Sequence, residues 1–155
     1  MRVRAFLADD VQSAGGKLYV LGAGWNHLAA PGFPARHPRL GIGVILTIES
    51  GEERSCKVSI TMIGPDGAGR AFGVDQEGNE QRSLDADVQV PGSLDDVMVS
   101  MALNLDGIVL DRAGDFSFVV SVNGQETDRL SFTVDQATPG EPGSPPPPAT
   151  TGGYL

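Results

Sequence analysis

The chain has 155 residues, enough for one hydrophobic core and too few for two ordinary domains. Its net charge of -9, with the 11 Lys and Arg scattered singly, speaks against nucleic acid and anionic membrane surfaces, which both call for clustered positive charge. Cys56 is the only cysteine, so one chain forms neither an intramolecular disulfide nor a thiolate zinc cluster, and a reducing cytoplasm fits best.

The opening Met1 to Asp10 has too few apolar residues before Asp9 and Asp10 to serve as a signal peptide. No apolar run reaches the roughly 18 to 20 residues that span a bilayer, so a soluble protein with no membrane association is expected. Arg2 to Ala8 reads as a first strand and Lys17 to Asn26 as a second, entered through a Gly15-Gly16 turn. On that second strand Tyr19, Leu21, Ala23 and Trp25 share one face. Gly22 and Gly24 on the other face admit a close neighbour or a bulge. Trp25 is then either the core aromatic or one wall of a shallow cleft over the glycines that holds a small ligand. Gly22-x-Gly24 is no nucleotide loop, because neither a third glycine nor a helix start follows it.

Leu28 to Pro34 reads as a surface loop, since Pro31, Gly32 and Pro34 exclude both ladder hydrogen bonding and a helix. Phe33 in that loop is a candidate contact for a protein partner or for self-association, because a large aromatic on a proline-stiffened loop offers apolar area at little ordering cost. The alternative is that Phe33 folds inward and caps the core. His27 and His37 flank the loop and are the two side chains suited to act as bases at neutral pH. Without a Gly-x-Ser-x-Gly elbow or a metal-ligand spacing around them, both read as solvated loop histidines.

Ile42, Val44, Leu46 and Ile48 share one strand face, and after the polar turn Glu49 to Arg54 so do Cys56, Val58, Ile60 and Met62. Cys56 lies on the apolar face and reads as a small buried hydrophobe. Gly64-Pro65-Asp66-Gly67 has turn chemistry. Strands are predicted at Arg70 to Val74, Leu84 to Val90 and Val97 to Leu105, with a helical turn permitted near 93 to 98 and a turn at Asn104-Leu105-Asp106-Gly107. Phe116, Phe118, Val120 and Val122 form the cleanest alternation in the chain. Asn123-Gly124 turns it back into Leu130, Phe132 and Val134, with extra length near Gln125 to Asp128.

About nine strands at this spacing predict an all-β fold, an antiparallel β-sandwich that is immunoglobulin-like or similar, over residues 1–135. From Gln136 the composition turns to Pro, Gly, Ser and Thr, and 136–155 reads as a disordered tail.

Phe6-Leu7-Ala8-Asp9, followed by Gly16-Lys17-Leu18-Tyr19-Val20-Leu21-Gly22-Ala23-Gly24-Trp25, resembles the opening of a family of uncharacterised bacterial proteins. Ala113-Gly114-Asp115-Phe116 into Asn123-Gly124, closing on Phe132-Thr133-Val134, is similar to that family's last hairpin. The family has no assigned activity, so the resemblance implies an all-β domain and supplies no catalytic residue.

Two functional readings follow. One is a non-enzymatic interaction or structural module that presents loops or an edge strand to a protein partner, with no cofactor and with Trp25 and Phe33 as candidate contacts. The other is a small-ligand or calcium-binding domain, for which Asp9-Asp10, Asp95-Asp96, Asp106, Asp111 and Asp115 near strand ends are the available carboxylates. No Asp-x-Asp-x-Asp-Gly loop is present, and turn preference alone explains such acidic pairs.

Overall fold

The computed structural model describes residues 1–92 and 95–138. The expected tail lies outside the described residues from 139 onward, and so does part of the helical turn considered near 93 to 98. Strands follow one another as β1 (Arg2–Ala8), β2 (Asp10–Ala14), β3 (Lys17–Leu21), β4 (His27–Ala30), β5 (Ala35–Ile48) and β6 (Ser55–Ile63). Then come β7 (Gly69–Arg70), β8 (Gly73–Val74), β9 (Glu80–Gln81), β10 (Ser83–Gln89), β11 (Val97–Leu110), β12 (Gly114–Val122) and β13 (Gln125–Gln136). There is no helix among the described residues.

A three-stranded antiparallel sheet in the order β1-β5-β11 faces a wider sheet in the order β10-β6-β12-β13-β4, with β7 added to β6. The period-2 alternation puts Leu40, Ile42, Val44, Leu46 and Ile48 of the narrow sheet into one core with Val58, Ile60, Met62, Phe116, Phe118 and Phe132 of the wide one. At its centre Phe118 and Phe116 each stack on Phe132 with ring centroids 5.7 Å apart, and Phe72 stacks on Phe118 at 6.0 Å.

The β12–β13 hairpin follows its sequence closely. Asn123 (φ 49°) and Gly124 (φ 80°) both take the positive angles of a tight hairpin turn. Beyond the turn the register slips: Val120 pairs with Asp128 but Ser121 with Glu126, leaving Thr127 as the extra residue. Its hydroxyl donates to the Val120 carbonyl at 3.1 Å.

On the outer face of the narrow sheet the β2–β3 hairpin crosses β5 at Gly41, where a Cβ would lie 2.7 Å from the Val11 side chain. The Asn104 side-chain amide acts as a substitute peptide group: it accepts from the Val11 N–H at 3.1 Å and donates to the Val11 carbonyl at 2.8 Å. Phe6 lies flat over Gly43, its cross-strand partner, in space that any larger residue would fill.

The structure corrects several expectations. The strand foreseen over Lys17 to Asn26 ends at Leu21, because Gly22 (φ 65°) and Gly24 (φ 92°) turn the chain. Trp25 therefore shares no strand face with Tyr19 and Leu21, which stay exposed while Trp25 folds against the core. Leu28 to Ala30 are strand rather than loop, paired in parallel with β13, a short non-alternating edge that leaves little periodic signal. Both histidines consequently sit on strands. The turn foreseen at Asn104 to Gly107 is instead a continuous part of β11, whose pairing passes from Asp106↔Arg39 to Ile108↔His37 with Gly107 opposite Pro38. Arg70 to Val74 is interrupted between β7 and β8, where Phe72 turns inward.

At the far end, β13 runs one residue into the segment assigned to the tail: Gln136 pairs with Ala30, and the Ala137 N–H bonds the Ala30 carbonyl at 2.7 Å. Truncation after Thr138 is expected to leave the melting temperature unchanged. Truncation after Asp135 should lower it by several degrees, since a backbone hydrogen bond contributes roughly 1 kcal/mol net. Equal melts for the two truncations would contradict the boundary.

Candidate functional site

The side chains with the most chemistry are occupied in holding the fold. Cys56 is buried on β6, and burial pushes its thiol pKa up, away from the reactive thiolate. His27 Nε2 lies 2.5 Å from Asp135 Oδ2 on the surface, and His37 sits beside the Trp25 ring, 6.4 Å between centroids. Neither histidine has a hydrogen bond to a Ser, Thr or Cys side chain among the described residues, so the arrangement lacks the nucleophile and base in contact that acyl transfer needs.

Several acidic residues near strand ends are held by arginines. Arg39 spans Asp106 at 2.6 Å and Asp10 at 3.1 Å, and Arg70 spans Asp66 at 2.9 Å and Asp111 at 3.1 Å. Asp115 accepts from the Thr133 hydroxyl at 2.7 Å, and Asp96 accepts from the Ser50 N–H at 2.9 Å. Among the described residues no three His, Cys, Asp or Glu side chains converge as a metal ion would need.

Hydrogen bonds from Arg70 hold Asp66 and Asp111 below the ordinary carboxylate range, and one from Arg39 does the same for Asp106. A carboxylate whose folded pKa lies below its unfolded value adds stability above about pH 4, and that stability is lost as pH falls through the folded value. The melting temperature is therefore expected to drop below about pH 4, and to drop less steeply in an Asp106→Asn, Asp111→Asn double variant. A variant that follows the parent curve in acid would contradict this assignment.

Trp25 and Phe33, the two aromatics singled out from sequence, are each half-buried and pack against the core. The Trp25 ring meets Phe132 edge-on at 6.1 Å. Its indole Nε1 is buried with no hydrogen-bond partner among the described residues. Trp25, Gly24, Phe6, Leu7 and Leu130 line a shallow cleft of about 280 Å³ beside β1 and β13. Phe33 is not part of this cleft, so the two residues do not form one surface site.

A larger opening lies on the opposite flank, where β10 ends the wide sheet and β11 ends the narrow one. Between them runs a cleft of about 390 Å³, within the range of ligand pockets, floored by Val44, Val58 and Ile60 and walled by Leu84, Met101 and Leu103. Ala86 lies at its middle. The inward side chains of β10 are Leu84, Ala86 and Val88, paired across from Ile60, Val58 and Cys56, and the small middle residue fills less space over this floor than its neighbours do. Ala86 itself remains exposed, and Leu84, Met101 and Leu103 are only half-covered.

The edge above this cleft is open. The Val90 N–H bonds the Arg54 carbonyl at 2.9 Å, which fixes the phase of the β10–β6 ladder. Val88, Ala86 and Leu84 direct their backbone groups to β6, while the N–H and C=O groups of Asp85 and Asp87 point away from the sheet. Among the described residues no strand pairs with that side. Sequence reasoning places a strand here but misses the cleft, whose only trace in the sequence is the small residue between Leu84 and Val88.

The chain belongs to the family of unknown function DUF6941, which matches residues 3–135. No curated protein matches it. Among solved structures, Pseudomonas fluorescens alkylpurine DNA glycosylase AlkC bound to DNA containing an abasic site analog is similar over 71% of this chain and 28% of that chain. The identity is 9% and the TM-score 0.39, so this chain spans less than a third of that structure and the likeness carries no argument about activity.

Proposed function

We propose that this DUF6941 domain is a non-enzymatic interaction module that offers the β10 edge, and the apolar cleft beneath it, to an extended segment of a protein partner. The observation that carries this reading is the coincidence of two features at one place. Outward backbone groups at Asp85 and Asp87 stand ready to continue the ladder, and the cleft beside them accepts every second side chain of an added strand. In such strand addition the backbone bonds supply affinity and the pocket supplies selectivity.

The remaining chemistry supports a binding role. The thiol is buried, the histidines lack a nucleophile among the described residues, and Asp10, Asp66, Asp106 and Asp111 pair with arginines. A lone buried cysteine suits a reducing compartment such as a bacterial cytoplasm. A second reading, small-ligand binding, is favoured by one observation, the unpaired indole Nε1 of Trp25 at the cleft on the other flank.

A photo-crosslinking residue placed at Gln89, exposed on β10, tests the proposal in the native host. It is expected to yield a discrete protein adduct that the same residue at Asn79 does not, and Ala86→Trp should abolish the adduct without lowering the melting temperature. Adducts from both positions or from neither, or an adduct that survives Ala86→Trp, would contradict the edge-strand reading.

A further inference from the structure

We infer that the strand which completes β10 is basic, alternating Lys or Arg with apolar residues; the inference rests on the edge-strand reading above. Residues paired across a ladder project to the same face of the sheet. Partner residues opposite Asp85 and Asp87 therefore share the outer face with these two carboxylates, while those opposite Leu84, Ala86 and Val88 enter the cleft.

On the outer face Lys57, the cross-strand partner of Asp87, reaches diagonally to Asp85 at 3.3 Å, where the Ser83 hydroxyl also donates at 2.8 Å, and Asp87 has no ion pair of its own among the described residues. An arriving strand thus meets two carboxylates that share a single lysine. Opposite-charge pairs across a ladder are favourable and like-charge pairs directly opposite are unfavourable, which selects cationic residues at alternate positions of the partner. Inward positions face the apolar cleft lined by Val44, Val58 and Ile60, so apolar side chains suit them.

The same two aspartates disfavour a second copy of this chain in the register centred on Ala86. Antiparallel pairing of two β10 strands about Ala86 sets Asp85 of each copy opposite Asp87 of the other, and each chain carries a net charge of -9. In that register the edge repels its own copy and attracts a strand of opposite charge.

The experiment uses the full chain and three fluorescent peptides of equal length, capped at both ends, that alternate valine with lysine, threonine or glutamate. Fluorescence anisotropy at low and moderate salt gives each dissociation constant. The lysine peptide is expected to bind at least tenfold more tightly than the glutamate peptide, with the threonine peptide between them. Asp85→Asn with Asp87→Asn should remove most of the advantage of lysine over threonine. Glu77→Gln with Glu80→Gln, an equal charge change on the β8–β9 hairpin, should leave it in place. Ala86→Trp, which keeps the charge, should weaken all three peptides at least tenfold. Threonine and glutamate peptides that bind as well as lysine would overturn the charge inference and leave the edge-strand reading standing. A lysine advantage untouched by the Asp85 and Asp87 substitutions, or lost equally with the Glu77 and Glu80 ones, would overturn it as attraction to overall charge. No binding by any peptide, or binding indifferent to Ala86→Trp, would overturn both.

Discussion

A sheet of three strands cannot cover a facing sheet of five, and much of this domain's architecture answers that mismatch. Neighbouring strands lie about 4.8 Å apart, so the wide sheet overhangs by roughly 10 Å in total. On one flank the overhang is filled: Trp25, Leu28 and Phe33 fold against the core beside β13, and the Trp25 ring closes on Phe132. On the other flank β10 projects past β11 with only Leu84, Ala86 and Val88 turned inward, and an apolar cleft remains between the two sheet edges.

Unpaired strand edges invite unwanted pairing, and the chain treats its edges differently. The outer edge of β1 is blunted by Asp128, whose carboxylate accepts from the Ala5 N–H at 2.9 Å. Near β11 the β2–β3 hairpin is tied down by the Asn104 amide and by Ser13, whose hydroxyl donates to the Ser100 carbonyl at 3.3 Å. β10 has no such cover among the described residues, only the charges of Asp85 and Asp87. On the reading proposed above, two carboxylates on an otherwise open edge would act as a filter, adverse to acidic strands and favourable to basic ones. This links an ordinary protection against aggregation to a choice of partner.

The sequence is most informative where structure is local. From Asp115 to Val134 the alternation, the Asn123-Gly124 turn and the extra length near Gln125 to Asp128 follow from chain chemistry, because a hairpin's register is set by its own turn. The same holds for the core faces of β5 and β6 and for the burial of Cys56. Long-range features are hidden. That His27 to Ala30 join β13 in parallel, or that Asn104 substitutes for a peptide group at Val11, depends on which segments meet after folding. Trp25 is legible as an aromatic of the core but not as a residue turned away from Tyr19, since the positive φ at Gly22 and Gly24 is a choice glycine permits rather than requires. The cleft is the extreme case. Its walls come from four strands, and only knowledge of which two are edges turns Ala86 from a weak strand residue into an opening.

Residue-resolved amide hydrogen exchange on the free protein, repeated with the lysine–valine peptide, tests the open β10 edge most directly. In the free protein the N–H groups of Asp85 and Asp87 should exchange rapidly while those of Ala86 and Val88, bonded to β6, exchange slowly. Adding the peptide should slow the first pair and leave β1 and β4 unchanged. Slow exchange at Asp85 and Asp87 in the free protein would show that the edge is already covered, and unchanged rapid exchange with saturating peptide would show that β10 is not where a strand is added.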